Sequence, residues 1–288
     1  MERPVVASKF RVDEILQEAA AELAENGNSS AHRDSQLLLL HVLKLGRAFL
    51  LIHPEHELTA EQLAQFQQLL ARRKANEPIQ YILGEREFYG LRFEVNPGVL
   101  IPRPETEHLV EAALERIPVD RPSSIADIGT GSGAMAVALA HHRPLAQITA
   151  LDISLAALEV AKRNAIANGV GDRVRFLESD LLNAVKGELF DMIVSNPPYI
   201  ADSERDSLES QVRDYEPPEA LFAGPTGLEV YRRMIPQAAN SLKPAGWLLM
   251  EIGAGQHLQL QQLWNDWNEV GFLPDLQGIP RVAVARRH

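Results

Sequence analysis

The chain has 288 residues, room for two domains at roughly 150 residues each. Its net charge of -11, with 45% hydrophobic and 23% charged residues, excludes disorder and fibrous repeats. The absence of cysteine excludes a disulfide framework, a thiolate zinc site and a cysteine nucleophile, and fits a reducing compartment. The apolar run Leu37 to Leu40 is far short of the ~20 residues that span a bilayer. The first residues lack a basic region followed by an apolar one, so a cytoplasmic protein with no membrane partner is expected. Charge is unevenly spread: residues 1–75 sum to -1 and the remainder to -10. The larger, acidic part would repel phosphate backbones, which disfavours nucleic acid as a direct partner unless a local basic patch intervenes.

The first 75 residues read as helices alone. Val12, Ile15, Leu16, Ala19, Ala20 and Leu23 recur at helical spacing until Asn26-Gly27-Asn28 stops the run. A second helix is predicted from Ser29 or Ser30, carrying Leu37 to Leu40, Val42 and Leu43 inward and ending at Gly46 as its cap. A third opens at Thr59, with Gln62 placed as in a capping box, and buries Leu63, Phe66, Leu69 and Leu70. The pattern describes a small helical bundle without paired histidines or an acid cluster, and so a docking or substrate-recognition module. Residues 87–95 read as two short strands around Gly90, followed by a turn at Asn96-Pro97-Gly98. A helix entered through Ile101-Pro102-Arg103-Pro104-Glu105 is predicted to reach about Ile117, with Pro104 in its first turn.

From Ser124 onward strands and helices alternate, the pattern of an α/β parallel sheet. Strands are predicted over 124–128, 148–151, 174–177, 192–195 and 247–251, and further ones near Leu273 and over 282–285. Helices are predicted over 132–141, 154–168, 228–239 and 257–270, the last carrying Trp264 and Trp267 three apart as packing residues. The expected organisation is a helical domain over 1–84, a hairpin linker over 85–98 and a catalytic domain over 99–288.

The first strand of the sheet runs into Asp127-Ile128-Gly129-Thr130-Gly131-Ser132-Gly133 and then an apolar helix. Positions without a side chain let a ligand approach the backbone. The third glycine comes one residue earlier than in the G-x-G-x-x-G loop that seats a pyrophosphate, which favours a nucleoside without one. Asp152, at the end of the second strand, can accept from both ribose hydroxyls. S-adenosylmethionine fits, with its charged amino-acid tail drawn to Asp127. Asp180 could reach the adenine amino group and Leu181 could pack on the ring. The alternative is that the glycines form a tight turn, Asp152 caps the helix at Ser154 and Asp180 caps a short helix.

The fourth strand ends in Asn196-Pro197-Pro198-Tyr199. Two prolines stiffen the loop and push the preceding residues to extended geometry, leaving carbonyls unpaired. The Asn196 side-chain oxygen and the Pro197 carbonyl would form two acceptors for a planar NH2 group, with Tyr199 stacked on its face. Such a site suits methylation of a conjugated nitrogen, whose lone pair must be aimed at the sulfonium methyl and which needs no strong base. A bare turn with Tyr199 as a core aromatic is the alternative. His141-His142 at a helix end read as dipole-facing, and no metal is expected.

With these motifs placed, the chain resembles the HemK/PrmC family of protein-(glutamine) methyltransferases over nearly its whole length. The resemblance rests on Pro78-Ile79-Gln80-Tyr81-Ile82-Leu83-Gly84, residues 99–107, residues 127–133, Ser195 to Ile200, and Glu216-Pro217 through Gly227-Leu228 to Tyr231. It implies a Rossmann-like S-adenosylmethionine-dependent methyltransferase sheet with S-adenosylhomocysteine as product. The implied substrate is the glutamine of the Gly-Gly-Gln loop in class I peptide chain release factors. Asn196, Pro197, Pro198 and Tyr199 would bind that glutamine, while Asp127, Gly129, Thr130, Gly131, Ser132, Gly133, Asp152, Asp180, Leu181 and Asn196 would hold the cofactor. Arg103, in a family-typical loop, would help close the pocket or pair with Glu105 or Glu107. Leu181, Thr226 and Pro280 depart from the family's usual aromatic, acidic and charged residues. Asn-Pro-Pro-Tyr is shared with enzymes that methylate exocyclic amines of DNA or RNA bases, the competing reading.

Overall fold

Apolar spacing of three and four sets the helices of the first unit in the computed structural model, which describes residues 10–264 and 267–288. The chain divides into two compact units, Met1–Leu83 and Gly84–His288. In the first, α1 (Val12–Glu25), α2 (Ala31–Leu43), α3 (Ala48–Ile52), α4 (Ala60–Lys74) and α5 (Ile79–Leu83) enclose a core that includes Leu16, Leu23, Leu38, Leu39, Phe66 and Leu70. The capping box at the head of α4 is as expected: Gln62 N donates to Thr59 Oγ1 at 3.2 Å and Thr59 N to Gln62 Oε1 at 2.9 Å. The end of α2 is not. It stops at Lys44, itself in the left-handed conformation at φ 56°, so Gly46 is not its cap. Lys44 N donates to Leu40 O there, closing the last turn before the glycine is reached.

A buried ion pair joins two helices of this unit. Arg73 Nε on α4 donates to Asp34 Oδ2 on α2 at 2.8 Å, and Arg73 also donates to Glu77 O at 3.0 Å. Asn28 Nδ2 supplies a further donor to Asp34 at 2.9 Å.

The second unit begins with a hairpin, β1 (Glu85–Phe88) and β2 (Leu91–Glu94), whose two turn residues Tyr89 and Gly90 both have positive φ, the geometry that matches strand twist. Next comes α6 (Thr106–Leu114), shorter than predicted at both ends, with Pro104 ahead of it and not in its first turn. The sheet is then laid down by β3 (Ser123–Ile128), α7 (Ala134–His142), β4 (Ala146–Asp152), α8 (Leu155–Ala167), β5 (Val174–Glu178) and β6 (Phe190–Ser195). The chain continues through α9 (Ser210–Arg213) and α10 (Glu229–Ser241) into β7 (Leu242–Glu251), α11 (His257–Leu260), β8 (Trp267–Pro274) and β9 (Pro280–Arg287). Strand order is β5-β4-β3-β6-β7-β9-β8, with β3 to β7 parallel and the last two strands antiparallel. Both faces are covered, and neighbouring residues alternate between them: Met192, Val194 and Leu249 pack on one side, Ile193, Leu248 and Met250 on the other.

The predicted helix over 257–270 is the largest correction. Helix α11 is a single turn, followed by a 3₁₀ turn at Gln261–Leu263, and Trp267 opens the edge strand β8; residues 265–266 lie outside the described residues. Leu258, which helical spacing would bury, is exposed. Trp267, Val270 and Phe272 instead pack on the sheet core, across a break in register between Asn268 and Gly271 that lets an irregular pattern pair as a strand. Trp264 and Trp267 do meet, edge to face with centroids 5.4 Å apart, but not on one helix.

Stranding one partner of a buried ion pair typically costs about 3–5 kcal/mol. Asp34→Ala should therefore destabilise the helical unit by that order, read as faster amide hydrogen exchange across α2 and α4. Unchanged protection there would contradict the assignment.

Candidate active site

The strand order reverses beside β3: β4 lies on one side of it and β6 on the other. Ligands of open α/β sheets bind at such a point, outside the carboxyl ends of the strands. At the carboxyl ends of β3, β4, β5, β6 and β7 stand the glycine loop, Asp152, Asp180, Asn196 and Glu251, with Asp152 and Glu251 the last residues of their strands.

Gly129, Gly131 and Gly133 all adopt positive φ, at 68°, 55° and 81°. At Gly133 a side chain would also collide with α8, since a Cβ would lie 3.0 Å from that of Ala161. The loop is pinned from the next strand. Gly129 N and Thr130 N donate to Leu151 O at 2.8 and 2.9 Å, and Gly131 N donates to Asp152 Oδ2 at 2.8 Å. Asp152 Oδ1 accepts from Ser154 N at 2.9 Å, so the carboxylate holds the loop and the start of α8 together. Burial pushes Asp152 up, and nearby Glu219 adds to the effect. Beneath the loop, buried Asn164 donates to Ser132 O at 2.9 Å and exchanges hydrogen bonds with the backbone of Glu94 on the hairpin.

A cavity of about 310 Å³ opens over this edge. Of the residues predicted to hold a nucleoside cofactor, Gly129, Gly131, Asp152, Asp180, Leu181 and Asn196 line it, joined by Pro197 and Pro198. Its apolar walls include Ile128, Ile153, Leu181, Phe222 and Val230. A smaller cavity of about 50 Å³ shares Leu100, Gly129, Gly131 and Asn196 with it and adds Thr130, Ser132, Arg103 and Thr106. Asp180 forms an ion pair with Arg233, which also lines the larger cavity.

Arg103 takes a partner other than the expected ones, and Asp127, Gly133 and Tyr199 are absent from the lining of both cavities. Asp127 lines neither cavity: its carboxylate is fully buried beneath the loop, where Oδ2 accepts from Thr130 Oγ1 at 2.7 Å and Oδ1 has no hydrogen-bond partner among the described residues. Arg103 pairs with neither Glu105 nor Glu107 but with Glu216, a buried residue 113 positions later whose other oxygen accepts from Ile101 N at 3.1 Å. Glu107 is engaged elsewhere, by Tyr89 N at 2.9 Å. Tyr199 lines neither cavity. Its half-buried ring contacts the periphery of the sheet core, its hydroxyl donates to Glu251 Oε1 at 3.3 Å and its carbonyl accepts from Gln256 Nε2 at 2.9 Å. Burial and the neighbouring Glu251 carboxylate raise its phenol.

Two residues escaped selection from the sequence. Thr106 Oγ1 donates to Glu251 Oε2 at 2.5 Å and accepts from Asn196 Nδ2 at 3.0 Å. Glu251 is 2% exposed, and burial raises its carboxyl. The signal available for Glu251 was a carboxylate closing a buried apolar strand, and for Thr106 its place in the family-like segment 99–107.

The family described as PrmC N-terminal domain matches residues 14–84, and the methyltransferase small domain matches residues 105–212. Among solved structures, the T. thermophilus 16S rRNA N2 G1207 methyltransferase (RsmC), in complex with AdoMet and guanosine, is similar over 71% of this chain and 50% of its own, with TM-score 0.54 and 22% identity. The hMettl16 catalytic domain, in complex with MAT2A 3'UTR hairpin 6, covers 76% of this chain and 82% of its own, with TM-score 0.58 and 17% identity. Likeness at these identities speaks for the fold, a Rossmann-like methyltransferase sheet preceded by a helical domain. The sequence is 47% identical over 259 residues to the release factor glutamine methyltransferase of Koribacter versatilis, spanning 90% of this chain and 92% of that protein. It is 40% identical over 282 residues to that of Geobacter sulfurreducens, spanning 96% and 97%. The chain belongs to the release factor glutamine methyltransferase family, whose members are S-adenosylmethionine-dependent enzymes.

Burial lifts Asp127 from 3.8 to about 7, opposed in part by the hydrogen bond from Thr130. A carboxyl that holds its proton more tightly in the folded state contributes stability that is complete below the unfolded value and is lost as pH rises through the folded one. Asp127→Asn cannot ionise, so thermal denaturation from pH 4 to about 8 should show a shallower decline than in wild type. Parallel profiles would contradict this origin.

Proposed function

We propose that this chain transfers the methyl group of S-adenosylmethionine to the side-chain amide nitrogen of the glutamine in the Gly-Gly-Gln loop of class I peptide chain release factors. The single observation that carries the reading is the position of Asn196, at the junction of the two cavities with its NH2 group committed to Thr106. Its oxygen remains as an acceptor for an incoming N–H. That arrangement, on a chain of this family, fits a carboxamide substrate.

The cofactor's chemistry is a sulfonium methyl ready for in-line displacement. The residues present suit it. The larger cavity pairs apolar walls with a carboxylate, Asp152, that spends one lone pair on each of two backbone donors and retains others for ribose hydroxyls. Gly129 and Gly131 admit the ligand close to the backbone. Leu181 and the Asp180–Arg233 pair would meet the base. Thr130, Ser132 and Arg103, which line the smaller cavity, would meet the amino-acid tail. Gly133 acts on the loop's shape, and Asp127 acts on it from below through Thr130.

On the acceptor side, the Asn196 oxygen and the Pro197 carbonyl would take the two amide protons and fix the plane of the nitrogen, aiming its lone pair at the methyl. Pro198 stiffens the loop, and Tyr199 supports it from behind in place of stacking on the substrate. The amide nitrogen releases its proton only as the methyl arrives, so no strong base is needed. Residues 1–84 would recognise the release factor, 85–98 would link, and 99–288 would catalyse. The acidic larger part disfavours nucleic acid as a direct partner, and among the described residues no helix is long and apolar enough to cross a membrane. We place the reaction in the cytoplasm, with the release factors.

Labelled S-adenosylmethionine should mark the intact release factor and leave unmarked the same factor with its loop glutamine replaced, adenine-containing DNA and ribosomal RNA. Label on the nucleic acids alone would overturn the reading. Asn196→Ala should lower kcat by about 100-fold with cofactor affinity little changed, because the lost contact orients the acceptor. Asp152→Ala should do the reverse, weakening cofactor binding by about 10- to 100-fold in calorimetry, the scale of losing hydrogen bonds to a charged group.

A further inference from the structure

The two ends of an asparagine amide are nearly the same shape, so its hydrogen-bond partners decide whether oxygen or NH2 faces a ligand. We propose that Glu251 and Thr106 are positioning residues that set the polarity of Asn196, forcing its oxygen toward the substrate. This rests on the methyl transfer to a carboxamide proposed above.

An ionised carboxylate can only accept, and a hydroxyl has one proton to give. Thr106 gives its proton to Glu251 Oε2 at 2.5 Å, which leaves lone pairs alone to face Asn196. Asn196 must then present Nδ2, as it does at 3.0 Å, and the amide oxygen is the end left for the cavity. Topology explains how residues so distant in sequence meet. Ser195 on β6 pairs with Met250 on β7, so Asn196 and Glu251 stand one step further along adjacent parallel strands. Glu251 is itself held: Tyr231 Oη donates to its backbone carbonyl at 2.9 Å, and Tyr199 Oη donates to carboxylate Oε1. Glu251 thus reaches both ends of the Asn196-Pro197-Pro198-Tyr199 loop, the first through Thr106 and the last directly.

Replacing the carboxylate by an amide of the same shape undoes the polarity. A glutamine at this position can donate to Thr106, which frees the threonine proton for the oxygen of Asn196. Asn196 would then turn its NH2 toward a substrate that also offers NH2.

The test combines kinetics with a readout independent of turnover. In methyl transfer to the release factor, Glu251→Gln should lower kcat by about 10- to 100-fold while cofactor affinity stays within about twofold. Thr106→Val should do the same, and Thr106→Ser should recover to within about threefold of wild type. The cost of Glu251→Gln should shrink in the Thr106→Val background, because the carboxylate acts on Asn196 through the hydroxyl. In ¹⁵N-labelled protein, the Asn196 side-chain NH2 signals should shift in Glu251→Gln and Thr106→Val and stay in place in Thr106→Ser. Unshifted signals in Glu251→Gln, or a cost that persists undiminished in the Thr106→Val background, would overturn the proposal. If wild type transferred no label to the release factor, the functional reading would fail, while the NMR signals would still decide the polarity of Asn196.

Discussion

Parallel strands deliver their carboxyl ends to a common edge, and the reversal of strand order beside β3 parts the connections there, so that a crevice forms without any further device. The glycine loop, Asp152, Asp180, Asn196 and Glu251 share that edge because each ends or follows a strand of one sheet. Their spacing is set by the ladder. Ile128 pairs with Ser195, and Ser195 pairs with Met250, so the groups that follow stand side by side at strand separation. Loops add reach to this arrangement; they do not create it.

The same edge gathers four carboxyl groups, three of them buried and Asp152 half-buried, and burial raises each: Asp127, Asp152, Glu216 and Glu251. A carboxylate out of water must be supplied with donors, and the donors recruited here are the parts of the site themselves. Asp152 takes the backbone of Gly131 and Ser154, Glu216 takes Ile101 N and Arg103, and Glu251 takes Thr106 and Tyr199. Desolvation is thereby converted into geometry. Asp127 is the exception, with one oxygen held by Thr130 and the other without a partner among the described residues.

Local chemistry was legible in the sequence. The capping box at Thr59, the turn at Gly90, the glycine loop and the paired prolines after Asn196 each announce themselves within a few residues, and the structure holds them where spacing put them. What the sequence concealed depends on partners far away. Arg103 has two acids close by in sequence and chooses Glu216, and Thr106 meets Glu251 across 145 positions. The edge strand β8 hid for another reason. Its aromatic and aliphatic residues satisfy helical spacing as well as pairing with β9, and the sheet partner, absent from any local window, decides between them.

Residues 99–103 belong to no helix or strand, yet they carry Leu100 and Arg103 to the cavity walls. Holding irregular backbone in one shape costs about 1–2 kcal/mol of conformational entropy per residue. Here the opposing gains are the burial of Val99 and Ile101 and the two bonds to Glu216. The outline of the cavity and the order of this segment are consequently linked, and one of the links is a carboxylate more than a hundred residues away.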